Sequence, residues 1–171
     1  IIQQSLGGEP LLKAGLKRLI SQINTLDAQI QKHLRDAIRE AGLCDQVKRC
    51  KALEGVGDLT AYALVMAFLR GDFRNSDAFV AFLGMDVHVR DSGTKTGKRK
   101  LTKKGDSEAR RLLYCAAMAA SRSPRWAGVY KAYRDRGLAT TQALVILARK
   151  LVRVAFALMK SGTDYQPAPA S

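Results

Sequence analysis

The chain has 171 residues, 47% of them hydrophobic, with 29 lysines and arginines against 15 acids, a formal net charge of +14 and a pI of about 10.1. That is enough for one domain with an appended helix and short for two cores, and the charge points to a polyanionic partner, either nucleic acid or an anionic membrane surface. No apolar run approaches the roughly 20 residues that span a bilayer, Ile1–Pro10 lacks a signal-peptide pattern, and Cys44, Cys50 and Cys115 fit neither a disulfide framework nor metal-ligand spacing, so a soluble, intracellular protein with no metal site of its own is expected.

The first element is a long helix. Leu12, Leu16, Leu19, Ile23, Leu26 and Ile30 recur in alternating steps of four and three, which is a heptad seam. Leu34, Ile38 and Ala41 widen the stripe and Gly42 offers a stop, so the spacing predicts a helix over about 10–41. Packing against its own domain and a coiled coil, antiparallel or dimeric, both remain open; self-association would run through residues 12–38. His33 reads as a tolerated polar insertion in the seam.

A short helix over Val47–Leu53, a turn at Gly55-Val56-Gly57 and a helix over Leu59–Leu69 follow. This stretch resembles a helix-hairpin-helix. Glycines allow backbone angles that other residues resist, so the amides of Gly55, Val56 and Gly57 and the next helix start, with Thr60, are candidates to converge on a phosphate. The plainer reading is a tight helix–helix turn, and Asp58 beside it would repel phosphate if it pointed inward. A helix capped by Asn75 or Ser76 then runs to Gly84.

Charge is distributed unevenly. Residues 1–89 hold eleven basic against ten acidic side chains, and residues 90–171 hold eighteen against five. Residues 86–104 lack helical periodicity, with brief extended pieces at Val87–Val89 and Arg99–Leu101, and read as a loop or small hairpin. This segment carries Arg90, Lys95, Lys98, Arg99, Lys100, Lys103 and Lys104, all candidate phosphate contacts, with Arg110 and Arg111 just beyond. Within it Ser92 precedes Gly93, where a bulky phosphodiester would meet little steric resistance. A serine is a nucleophile only when it is activated and when charge on phosphorus is stabilised; nearby lysine and arginine suit the second task. Ser121 is the rival nucleophile, but its alanine-rich helical setting favours packing.

Asp106 or Ser107 caps a helix through Leu112, Leu113, Ala116 and Ala120, beyond which Pro124 interrupts. Helices over Trp126–Arg134 and Thr140–Met159 follow, separated by Gly137. Trp126, Tyr130 and Tyr133 recur at helical spacing and read as core. Arg149, Lys150 and Arg153 alternate with apolar residues, so one face packs while Arg149 and Lys150 are candidates to lie along a nucleic-acid backbone. His88 has no assigned role, and Asp86, Asp91 and Asp106 balance charge or cap helices rather than hold magnesium. The fold expected is all-α: a coiled-coil-like helix over 1–45, a compact helical domain over 46–160 with the hairpin element and basic loop, and a disordered tail over 161–171.

The ordered series Gly55-Val56-Gly57 with Thr60-Ala61, Phe73 and Phe79, Phe82-Leu83-Gly84-Met85, Ser92-Gly93, Leu101-Thr102-Lys103-Lys104-Gly105-Asp106 and Arg110-Arg111-Leu112-Leu113 resembles the C-terminal domain of the bridge-RNA-guided insertion-sequence transposases, the IS one-ten and IS eleven-eleven groups. The resemblance continues through Ala116-Ala117, Arg122, Tyr130, Tyr133, Gly137 and Ala148-Arg149-Lys150-Leu151, covering about 47–158, and residues 1–45 look like the family's connecting helix. It implies a bacterial, cytoplasmic, nucleoid-associated recombinase whose partners are DNA and a structured guide RNA. The family's serine maps onto Ser92, implying attack on a DNA phosphodiester and a phosphoserine held until rejoining. The family's four acidic ligands for Mg2+ belong to an N-terminal RuvC-like domain outside these residues, implying no cofactor in this chain and no activity for it alone. Val87 stands where a proline is common, and a single serine precedes Gly93.

Two further classes compete. A non-catalytic module would use the same turn and basic loop as a structure-specific DNA clamp, without a reactive serine. A basic amphipathic membrane-surface protein has no use for the hairpin pattern.

Overall fold

The computed structural model describes residues 2–88, 100–101 and 105–166. Among them are seven α-helices and one antiparallel pair of two-residue strands, an all-α fold. The chain divides into two units, Ile1–Cys44 and Asp45–Ser171.

The first unit is helix α1, Ile2–Glu40. It begins well before the expected start near residue 10, with Pro10 inside it, where a proline both removes an amide donor and crowds the preceding turn, at a cost of roughly 3 kcal/mol. The end agrees with the sequence: Gly42 has φ +68° and Leu43 N–H donates to Ile38 O at 3.0 Å, closing the last turn. The heptad seam is exposed, with Leu12 at 65%, Ile23 at 63% and Ile30 at 57%.

In the second unit come α2 (Cys44–Lys51), α3 (Asp58–Leu69) and α4 (Ser76–Phe82), then strands β1 (Val87–His88) and β2 (Lys100–Leu101), then α5 (Ser107–Ala120), α6 (Pro124–Asp135) and α7 (Thr140–Ser161). Local chemistry sets most boundaries. Asn75 caps α4 by accepting from Ala78 N–H at 2.9 Å, and Asp106 caps α5 by accepting from Glu108 N–H at 2.8 Å. Pro124, expected as an interruption, opens α6: its ring fits the first helical position, and Ser123 supplies the cap. Gln142 reaches back from α7 to accept from Ala139 N–H at 3.0 Å.

Helix α7 is the centre of this unit, packed against α3, α4, α5 and α6. Ala143, Leu147, Ala148, Leu151, Val152 and Ala155 on it are fully buried, and a residue set recurring in steps of three and four is the stripe a helix buries on several neighbours. Helix α5 offers small residues instead, with Ala116, Ala117 and Ala120 buried, so α3 and the α2–α3 turn approach its backbone closely. Phe79 makes ring contacts with Phe68, Phe73 and Phe156 at centroid separations of 6.1, 5.0 and 5.7 Å, fastening α3, α4 and α7 together.

The stretch expected to be a tail from residue 161 is held as far as it is described. Tyr165 O–H donates to Glu54 Oε2 at 3.0 Å and Asp164 sits 3.5 Å from Arg49 Nε. Residues 167–171 lie outside the described residues.

Candidate nucleic-acid interface

The α2–α3 turn is built by three residues with different duties. Gly55 has φ +86°, and a Cβ there would stand 2.3 Å from Ala116 O and 2.6 Å from Ala120 N. Only glycine lets the turn lie on α5 in this way. Val56 is buried and its N–H donates to Leu53 O at 3.0 Å, so that amide closes the turn instead of facing out. Gly57 is exposed, extended and free of neighbours on its Cβ side, and it opens α3 without a side-chain cap. Thr60, grouped with these from the sequence, is buried, at 6% exposure. What faces outward is Gly57 and the start of α3, and the Asp58 carboxylate there is ion-paired with Lys51.

The basic segment is pinned at both ends. Val87 pairs with Leu101 and His88 with Lys100, which places Lys100 by its backbone. Just outside this ladder Gly84, at φ +68°, meets Gly105: a Cβ on Gly84 would lie 2.5 Å from Gly105 N, and one on Gly105 would lie 2.5 Å from Gly84 N. Two chains crossing at that separation exclude any side chain from either position. Arg110 fixes the crossing by donating to Gly105 O, so its guanidinium is part of the segment's root. Arg111 donates from Nε to Glu108 Oε2 at 2.8 Å; the hydrogen bond holds the Glu108 carboxyl below its ordinary range and Arg111 above its own. Ser92, Arg90, Lys95, Lys98, Arg99, Lys103 and Lys104 lie outside the described residues.

The rival serine is engaged. Ser121 follows the last turn of α5, and its Oγ donates to Met118 O at 2.9 Å. Among the described residues no group of three or more His, Cys, Asp or Glu could hold a metal. No helix among them is long and apolar enough to cross a membrane.

Arg149 and Lys150 lie on α7 and, with Arg153, line a cleft against α6. Arg153 donates from Nε and from its terminal amino group to Asp77 Oδ1, at 3.0 and 2.8 Å. A second cluster was not legible in the sequence. Trp126 Nε1–H and Tyr165 O–H both donate to Glu54 Oε2, at 3.1 and 3.0 Å, and Arg125 lies 5.5 Å from the Trp126 ring and 4.9 Å from that of Tyr165. Burial and the Glu54 carboxylate push the Tyr165 hydroxyl up to about 12. No periodicity connects positions 54, 125 and 165; only the tertiary fold does.

Residues 47–131 match the Transposase IS116/IS110/IS902 family. A probable family 20 transposase of Pseudomonas aeruginosa is 30% identical over 91% of this chain and 46% of its own length. The insertion element IS110 43.6 kDa protein of Streptomyces coelicolor is 29% identical over 92% of this chain and 38% of its own. The transposase for insertion sequence element IS1328 of Yersinia enterocolitica is 27% identical over 86% and 43%. The chain thus spans less than half the length of these relatives. Over residues 47–131, from α2 through the basic segment and α5 into α6, the chain is similar to the Transposase IS116/IS110/IS902 family.

Proposed function

We propose that this chain is the C-terminal part of a DNA transposase, binding DNA and supplying Ser92 as the nucleophile for strand cleavage and rejoining. The observation that carries the reading is the family match over 47–131, which brackets the α2–α3 turn and the basic segment containing Ser92. The described flanks support it: the β1–β2 ladder and the Gly84–Gly105 crossing fix the residues on either side of this stretch.

In this reading the Ser92 hydroxyl attacks a DNA phosphorus and gives up its proton. A serine–phosphorus bond forms as the bond to one deoxyribose oxygen breaks, and that oxygen takes a proton on leaving. A deoxyribose hydroxyl later attacks the phosphoserine, restoring the serine and rejoining the strand, so bonds balance and no external energy source is required. Lysines and arginines of the segment offset charge on phosphorus. Mg2+ would be held by a separate RuvC-like domain, and the chain alone would be inactive. The whole protein would act with a guide RNA, in the bacterial cytoplasm, as a homo-oligomer joined through residues 12–38.

The test is Ser92→Ala in a full-length protein carrying this domain. Loss of the covalent protein–DNA adduct, with DNA affinity kept within about twofold, is expected; undiminished recombination would leave only the non-catalytic clamp reading.

A further inference from the structure

The cleft between α6 and α7 is separate from the turn and from the root of the basic segment. Its volume is about 490 Å3, within the roughly 300–1,000 Å3 range of sites that hold small organic groups. Tyr133 and Trp126 of α6 form one side; Arg149, Lys150 and Arg153 of α7 form the other, and no carboxylate among the described residues lines it.

Two features mark it as a place for an anion. Arg149 Nε is buried without a hydrogen-bond partner among the described residues, and an orphaned buried donor is destabilising until a partner arrives. Arg149 and Arg153 are one helical turn apart, where like charges repel; desolvation first and Arg153 second make the charged form of Arg149 harder to hold, against the pull of Asp77 and Asp86. Asp77 already accepts two hydrogen bonds from Arg153 on one oxygen, offsetting part of the Arg153 charge, so Arg149 is the main partner for an anion. An anion in the cleft relieves the repulsion, and the positive charges there neutralise a phosphate.

The aromatic side sets what kind of anion. Trp126 is 6% exposed and its Nε1–H is committed to Glu54, so it offers little surface for a base. Tyr133 is half-buried, with Arg136 5.9 Å from its ring. The cleft therefore suits a sugar-phosphate unit read through its backbone, with the base left outside.

We propose that the α6–α7 cleft is a second nucleic-acid site of this domain, seating one phosphodiester of a strand between Arg149 and Arg153 without regard to sequence. It rests on the reading of the domain as nucleic-acid-binding and extends that to a site away from Ser92.

Trp126 is the only tryptophan in the chain, so its fluorescence reports on the cleft. The experiment titrates the 171-residue chain with a mixed-sequence duplex oligonucleotide, recording Trp126 emission and affinity at several salt concentrations. Three variants are compared: Arg149→Gln with Arg153→Gln, Arg149→Lys, and Lys98→Gln with Arg99→Gln. The glutamine pair should bind roughly tenfold more weakly at 0.1 M salt, with a salt slope shallower by about one for each phosphate left without its arginine, and should lose the Trp126 response. Arg149→Lys should stay within a few-fold, and Lys98→Gln with Arg99→Gln should bind more weakly yet keep the Trp126 response. Equal binding by wild type and the glutamine pair, while the loop variant weakens, overturns the cleft and leaves the domain reading standing. No oligonucleotide binding by any form overturns both. A weakening as large in Arg149→Lys would mark a packing role, and a Trp126 response to polyglutamate but not to the oligonucleotide would mark an acidic protein partner; either overturns the proposal.

Discussion

Gly55 and Gly57 differ by two positions and by everything that surrounds them. At Gly55 the φ of +86° disfavours any L side chain, and a methyl group would run into the backbone of α5 at Ala116 and Ala120. Gly57 is extended, exposed and open on its Cβ side. Gly55→Ala should therefore destabilise the domain by about 2–4 kcal/mol, summing left-handed strain and overpacking, whereas Gly57→Ala should cost less than about 1 kcal/mol. Denaturant unfolding of the two variants checks this, and equal losses would mean the turn does not rest on α5. The sequence pointed to both glycines for one reason, phosphate access. Packing accounts for the first, and a buried Val56 amide bonded to Leu53 O removes a donor from the expected set, so any phosphate contact falls to Gly57 and the first turn of α3.

Among the elements, α1 and α7 show what periodicity does and does not reveal. Both carry apolar stripes, but those of α7 are buried on four neighbouring helices while the seam of α1 is exposed, Leu16 at 51% and Leu19 at 56% among them. Burying large apolar side chains stabilises by about 1.5–3 kcal/mol each, a drive the seam can satisfy against a second copy through knobs-into-holes packing. Sedimentation of the 171-residue chain should give a dimer or larger species, and a truncation beginning at Val47 a monomer; a monomer in both cases would reject self-association through residues 12–38. The seam and its period were legible because a heptad is a local pattern. The exposure of that seam was not, since packing on its own domain and self-association need the same stripe.

For the whole molecule the governing quantity is charge. Eighteen of the 29 basic residues lie beyond residue 89, against five acids in the same stretch. Glu108 pairs with Arg111 there, and Asp77 reaches across from α4 to Arg153, but five acids leave most of that excess uncompensated. Binding to nucleic acid should accordingly be indifferent to sequence and fall steeply with salt, because each phosphate neutralised releases counterions. A fluorescence-anisotropy titration of mixed-sequence duplexes between about 50 and about 300 mM salt checks it, and an affinity flat across that range would remove phosphate neutralisation as the basis of binding.

Helix class, a cap at Asn75 or Ser76 and another at Asp106 or Ser107, the α1 seam and the brief extended pieces around Val87 and Leu101 were determined by sequence alone, because each depends on residues a few positions apart. So was the family resemblance, which rests on ordered motifs and not on contacts. The tertiary structure decided what long-range neighbours fix: Thr60 and Val56 buried, Gly55 seated on α5, Gly84 crossing Gly105, Tyr165 tied to Glu54, and Arg149 and Arg153 drawn into one cleft with Trp126. Those pairings join positions up to 111 residues apart, and the burial that selects them exists only once α7 has gathered the other helices around it.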